Sequence, residues 1–457
     1  DIFSLEKAFS LLFARHESLR TNFIERAGEG RQLIRAITEY TLPLRDCRGA
    51  GEEEIDALIH QHATHLFDLE NDLLLQLELL VLSDEEHLLL FNMHHIISDG
   101  WSMNVLIEEL GVLYRECLAG TSNPLERLRP LRIQYKDYAA WQNSQLEVSI
   151  FEDGSMPEDE NDGDSNTAEA GIAKDVAADG STVQAGKTVP QLSAYGRLRS
   201  YWHDQLSGIS PLELPTDYPR PLVKTYRGAH AGSLLPAAAS DALQAFSTAH
   251  GASLFMTLNA LVNVLLHRYT GQEDIVVGSP TAGRRHADLH GQIGFYINTL
   301  ALRTRLRGDM SFAELLEEQK QTILDAFEHE HYPFDRLVEE LDIPRDMSRS
   351  AVFDVMVVLQ NNEESTFRLE GVEVTAVPAQ AGVSKYDLTF NFVQTAAGLG
   401  IGIEYNTDLF GEDRILRMLD HFSELAKNVP EASEKSIGEL SMLPAAEVKL
   451  LLETFRF

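Results

Sequence analysis

The chain has 457 residues, 44% of them hydrophobic, and carries 38 Lys and Arg against 71 Asp and Glu, a formal net charge of −33. That length suits two or three domains rather than one core, and a chain this acidic repels phosphate backbones and anionic membrane surfaces, which argues against nucleic-acid and membrane partners. There is no apolar run of spanning length and no basic-then-apolar leader, and two cysteines, Cys47 and Cys117, are too few for a disulfide framework or a metal-ligand cluster, so a reducing, cytoplasmic setting is expected.

The chain opens directly on a helix start, Ser4-Leu5-Glu6-Lys7-Ala8-Phe9, which reads as a piece cut from something longer. That helix is expected to end near His16 and to lead into a strand over 19–24. A second strand is expected over 87–96, apolar through its middle, then a helix with Leu106, Leu110, Leu113 and Cys117 on one face. Residues 151–180 hold ten acidic residues, one lysine and almost no large apolar side chains. Such a stretch cannot offset its ordering entropy by burial, so an insertion of about 147–192 is read as disordered or loosely packed and solvated. Beyond it come a helix with Leu254, Leu258, Leu261 and Leu265 on one face, strands over 274–278 and 295–303, and an amphipathic helix over 312–327. Strands over 353–360 and 387–393 and a long helix near 414–428 complete the series. Gly100, Gly228 and Gly283 are read as turn positions. The simplest layout is α/β, with one lobe over 1–195 and a second over 196–443. Residues 444–457, opening on Pro444-Ala445-Ala446-Glu447, read as the start of a linker into a following domain.

The chemistry-bearing run is Met93-His94-His95-Ile96-Ile97-Ser98-Asp99-Gly100-Trp101-Ser102. Side chains alternate along a strand, so two histidines read as strand residues point to opposite faces and one at most reaches a given cleft. This argues against a shared metal ion, and no metal site is expected. A histidine with an ordinary pKa of about 6.5 is suited to accept a proton at neutral pH. Asp99 stands where a helix dipole favours a carboxylate. Gly100 permits close backbone approach, and its N–H can face a developing oxyanion. The same residues also read, without any chemistry, as two packing or capping histidines and a helix N-terminal aspartate.

The run His94-His95-x-x-x-Asp99-Gly100 resembles the signature of the superfamily that includes chloramphenicol acetyltransferase and the condensation domains of nonribosomal peptide synthetases. Further segments resemble condensation-domain motifs in order: 15–23, 135–141, 293–299, 331–335 and 345–349, the last followed by Phe353. The resemblance implies an α/β fold of two acetyltransferase-like lobes arranged as a V-shaped pseudo-dimer around a central channel. It implies upstream donor and downstream acceptor peptidyl carrier domains presenting substrates on 4'-phosphopantetheine, no cofactor held by the domain itself, and a downstream adenylation domain. The implied catalytic set is His94, His95, Asp99 and Gly100. Within it His95 is the base or orienting group, His94 its structural partner, and Asp99 a structural residue paired with Arg284 from the second lobe. Trp101 lies near the channel, Arg20 and Asn298 support the site, and Tyr135, Trp141 and Pro333-Phe334 pack. The family's first motif and the strand before it do not occur here, so a fragment is expected. The intact histidines argue against the heterocyclising branch, and amide formation from an L-donor to an L-acceptor is expected. An epimerisation domain, a non-catalytic platform that recruits partner enzymes, and an acyltransferase using free coenzyme A are the other readings.

Overall fold

The computed structural model describes residues 1–36, 39–152, 194–360, 367–377 and 382–454. Most of the acidic insertion expected at 147–192 lies outside the described residues. Its first part does not: residues 147–152 are backbone helix.

The first half contains α1 (Ile2–Arg15), β1 (Thr21–Arg26), β2 (Glu29–Ile34), β3 (Leu44–Asp46), α2 (Glu52–Ala63), β4 (Leu75–Val81), β5 (His87–Met93), α3 (Gly100–Leu118) and α4 (Tyr135–Glu152). β1 and β2 form an antiparallel hairpin, and β3-β4-β5 a sheet with β3 parallel and β5 antiparallel to β4. Asp1 caps α1 by accepting from the Ser4 N–H at 2.7 Å. Leu5, Ala8, Phe9 and Leu12 recur at helical spacing and are buried with Leu106, Leu110 and Leu113 of α3 in one core. A buried ionic clasp joins the same two helices. Glu109 of α3 receives Arg15 Nε at 2.9 Å and lies 2.7 Å from His16 Nε2. Burial opposes ionisation of Glu109, but His16 and Arg15 outweigh it and hold the carboxyl below its ordinary pKa.

The second half contains α5 (Ala194–Leu206), β6 (Gly228–Pro236), α6 (Ala237–Ala249), α7 (Leu254–Thr270), β7 (Asp274–Thr281), α8 (Ala287–His290), β8 (Asn298–Arg305), α9 (Phe312–Glu328), α10 (Phe334–Glu340), β9 (Val355–Gln360), β10 (Leu388–Thr395), β11 (Gly398–Asn406), α11 (Glu412–Ala432) and α12 (Ala445–Thr454). Six strands form one mixed sheet in the order β6-β11-β10-β9-β7-β8. α7 is apolar nearly all round because it is buried nearly all round, and it packs against α9 and α11. Among the described residues no single helix is long and apolar enough to cross a membrane.

Three expected boundaries shift for identifiable reasons. The first strand starts at Thr21 because Glu17–Arg20 forms a 3-10 turn. The strand expected over 87–96 stops at Met93, because residues 95–97 turn into a second 3-10 segment. The strand expected from 295 starts at Asn298, because residues 294–296 are tied to the start of α3 instead. Of the three glycines read as turns, Gly283 has a left-handed φ of +64° and lies where a Cβ would come within 2.1 Å of the Tyr296 carbonyl. Gly228 opens β6 and Gly100 opens α3, so neither is a turn residue.

Candidate active site

The antiparallel pairing of β4 and β5 delivers Met93 opposite Leu75, and the His94 N–H then donates to the Leu74 carbonyl at 2.9 Å. The chain turns at once. His94 Nδ1 accepts from the Ile96 N–H at 3.0 Å, so that nitrogen carries no proton. Its half-buried ring meets Phe67 edge-on at 5.7 Å. Burial first and the neighbouring His95 second hold the His94 pKa below its ordinary value. His95 is held the other way. Its Nδ1 lies 2.6 Å from the Ser98 carbonyl, which can only accept, so Nδ1 carries the proton and Nε2 presents a lone pair. The His95 ring is exposed, and Phe295 meets it at 5.2 Å between centroids with planes 79° apart. Both histidines lie beyond the end of β5, so strand alternation does not separate their roles; a single turn does so by fixing them in opposite tautomers.

Asp99 follows as the N-cap of α3 and is 4% exposed. Its Oδ1 accepts from the Ser102 N–H at 2.8 Å and from Arg284 Nη2 at 3.0 Å, and its Oδ2 accepts from the Tyr296 N–H at 3.0 Å. The Ser102 hydroxyl accepts from the Gly294 N–H at 3.1 Å and has the Asp99 carboxylate at 2.7 Å and the Gly294 carbonyl at 2.9 Å as alternative acceptors. Arg284 is buried. Its Nη1 donates to the Leu289 and Gln292 carbonyls at 2.6 and 2.7 Å, and its guanidinium carbon lies 4.2 Å from the centre of the Tyr296 ring. Burial pulls the Arg284 pKa below its ordinary value against the opposing pull of Asp99. A carboxylate this saturated has no lone pair free for substrate. Asp99 therefore ties α3 of the first half to the 284–296 segment of the second.

The remaining expected residues divide. Gly100 is exposed, and a Cβ added there would meet nothing within 4 Å, so packing does not require a glycine. As the first residue of α3, its N–H has no acceptor within the helix. Trp101 Nε1 donates to the His290 carbonyl at 2.8 Å, beside Arg284. Asn298 clamps the 330–334 segment, donating to the Glu330 and Tyr332 carbonyls at 2.7 Å each and accepting from the Phe334 N–H at 3.0 Å. Arg20 is not brought to the histidines. It donates to the Phe13 carbonyl at 3.0 Å and the Arg35 carbonyl at 2.8 Å, tying the end of α1 to the end of the β1–β2 hairpin. Tyr135 packs edge-on to Tyr296, and burial pushes its pKa up to about 12. Trp141, expected to pack, is 49% exposed. Ser98, Ser102, Phe295 and Tyr296 lie inside the quoted runs 93–102 and 293–299, but the sequence assigned none of them an individual role. Only Ser102 had a local signal, standing three residues after an N-cap aspartate. Among the described residues no group of three or more His, Cys, Asp or Glu is placed to hold a metal ion.

The family described as "Condensation domain" matches residues 1–153 and 184–452 of this chain. The chain belongs to the condensation-domain family of nonribosomal peptide synthetases. This condensation domain is 34% identical over 456 residues to surfactin synthase subunit 1 of Bacillus subtilis (strain 168), covering 100% of this chain and 11% of that protein. It is 33% identical over 456 residues to bacitracin synthase 3 of Bacillus licheniformis, covering 100% of this chain and 6% of that protein. The chain thus spans a small part of the length of these relatives. Among solved structures, the X-domain from teicoplanin biosynthesis superposes with a TM-score of 0.80 at 25% identity, covering 97% of this chain and 90% of that one. The condensation domain accordingly has the α/β, chloramphenicol-acetyltransferase-like fold of two lobes in a V.

Proposed function

We propose that this domain forms a peptide bond between two carrier-bound substrates. The nitrogen of an acceptor aminoacyl group attacks the carbonyl carbon of a donor acyl thioester. The C–S bond breaks, and the proton lost by the amine passes to the departing thiolate. The observation that carries this reading is the 2.6 Å contact of His95 Nδ1 with the Ser98 carbonyl, which leaves the lone pair of this exposed residue on Nε2 to receive the amine proton. A base held in one tautomer without freedom to turn adds little reorganisation cost, and much of the acceleration comes from holding amine and thioester together. The Gly100 N–H, at the positive end of α3, is the candidate partner for the developing oxyanion.

In this reading both substrates ride on 4'-phosphopantetheine arms of an upstream donor and a downstream acceptor carrier domain, and the domain itself holds no cofactor. The lobes are residues 1–195 and 196–443, a boundary that falls in the first turn of α5, and residues 444–457 lead toward an adenylation domain in the same cytoplasmic polypeptide. The donor is an L-configured acyl group joined to an L-acceptor.

The likeness to the teicoplanin X-domain, which is also seen in a complex with OxyB, favours one second reading, a platform that recruits partner enzymes without forming bonds. Reconstitution with a loaded donor carrier and a loaded acceptor carrier separates the two. Amide-linked product on the acceptor carrier supports condensation. Carrier binding without product across several acyl pairs supports the platform.

A further inference from the structure

Phe295 is 39% exposed, between Gly294 and Tyr296, which are both buried. Leaving a phenyl ring in water forgoes apolar burial that would stabilise the fold, and nothing about the backbone here is loose enough to make the exposure incidental. Gly294 is fixed on both its N–H and carbonyl sides by Ser102, and the Tyr296 N–H is fixed by Asp99 at 3.0 Å. A Cβ on Gly294 would come within 2.5 Å of the Tyr135 ring, so the segment cannot shift toward α4. The Asp99–Arg284 cluster therefore holds Phe295 at one place, against the exposed ring of His95. Phe295 belongs to the second half of the chain and His95 to the first.

Building on the reading of His95 as the group that receives the amine proton, we infer that Phe295 is a specificity-determining residue whose ring walls the space beside His95. It limits the size of the substrate side chain next to the reacting atoms and keeps the imidazole from turning. A small aminoacyl or acyl group fits beside the phenyl ring, and a bulky one is held away from Nε2. A hydrophobic wall of this kind discriminates by about 10-fold or more for each group that it excludes.

The test compares wild type, Phe295→Ala, Phe295→Leu and Phe295→Trp over a size series of donors at fixed acceptor and a size series of acceptors at fixed donor. In at least one series the ratio of kcat/KM for bulky over small substrates is expected to rise about 10-fold or more in Phe295→Ala and to fall in Phe295→Trp. Phe295→Leu keeps an apolar side chain and gives an intermediate ratio even if the alanine variant folds poorly. Ratios unchanged within about twofold in both series, whatever the loss in overall rate, overturn the inference. A second readout does not depend on turnover. The same size series, offered as acyl-pantetheine analogues with an amide in place of the thioester, reports the wall by binding alone. Size-dependent binding that Phe295→Ala relaxes, with no product from any wild-type pair, sinks the peptide-bond reading and leaves the wall standing. In labelled-histidine NMR spectra Phe295→Ala is also expected to move the His95 ring signals, which are identified by their loss in His95→Ala. His95 signals that stay in place contradict the contact.

Discussion

At the scale of single residues the site depends on one carbonyl. Ser98 fixes the tautomer of His95, and the Ile96 N–H fixes the opposite tautomer in His94. Burial first and His95 second hold the His94 pKa below its ordinary value, so His94 contributes no charge beside His95 at neutral pH. At Gly100 folding and the proposed chemistry can be told apart. A Cβ there meets no protein atom, so Gly100→Ala is expected to unfold within about 0.5 kcal/mol of wild type, as an unhindered surface change does. Its amide-forming rate should drop by about 10-fold or more, because the methyl occupies space that substrate needs. Denaturant unfolding beside a rate measurement reads both; a destabilised variant, or one with full activity, contradicts this account. The family resemblance pointed to His95 rather than His94. The sequence hid how the choice is made, because Ile96 and Ile97 continue the apolar run and the turn that sets the tautomers reads as more strand.

At the scale of elements, long amphipathic or fully apolar segments were legible and edges were not. α7, α9 and α11 follow the leucine spacing closely. By contrast β6 and β11 are masked by their glycines, while β4 carries the alternation Leu75-Gln76-Leu77-Glu78-Leu79, a strand signal that the expected series does not include. The clasp between α1 and α3 was also invisible, since Glu109 lies 93 residues from His16. Glu109 has a folded-state pKa below its ordinary value of 4.5. Its contribution is therefore fully present above about pH 4.5 and is lost as pH falls through the lowered folded value. Glu109→Gln leaves Arg15 buried without its charge partner and is expected to cost about 3 kcal/mol at pH 7. The difference from wild type should narrow below pH 4.5 as the native carboxyl protonates. Unfolding free energies measured from about pH 7 to about pH 3 check this, and a difference constant across that range contradicts it.

At the scale of the whole molecule the two halves meet through α3. Asp99, Ser102 and Trp101 bind the 284–296 segment, Gln292 donates to the Ile133 carbonyl, and the 368–372 segment passes close enough to α3 that a Cβ on Gly111 would lie 3.0 Å from the Arg368 carbonyl. The pairing of Asp99 with Arg284 was anticipated by the family resemblance; the further tie of Asp99 to the Tyr296 backbone was not, because a carboxylate's choice of amide partner leaves no mark in residue type. Arg284→Ala strands a buried carboxylate and is expected to cost about 3–5 kcal/mol, with amide formation lost through misplaced lobes. His95→Ala, whose ring is exposed, should leave the unfolding midpoint nearly unchanged. The measurement that tests the central claim most directly is intact mass of the acceptor carrier after mixing loaded donor and acceptor carriers with wild type and with His95→Ala. The account predicts dipeptidyl acceptor carrier with wild type and formation slowed by about 10²-fold or more in the equally stable variant. Product formed at the wild-type rate by His95→Ala, or no product from a folded wild-type domain across several acyl pairs, would contradict it.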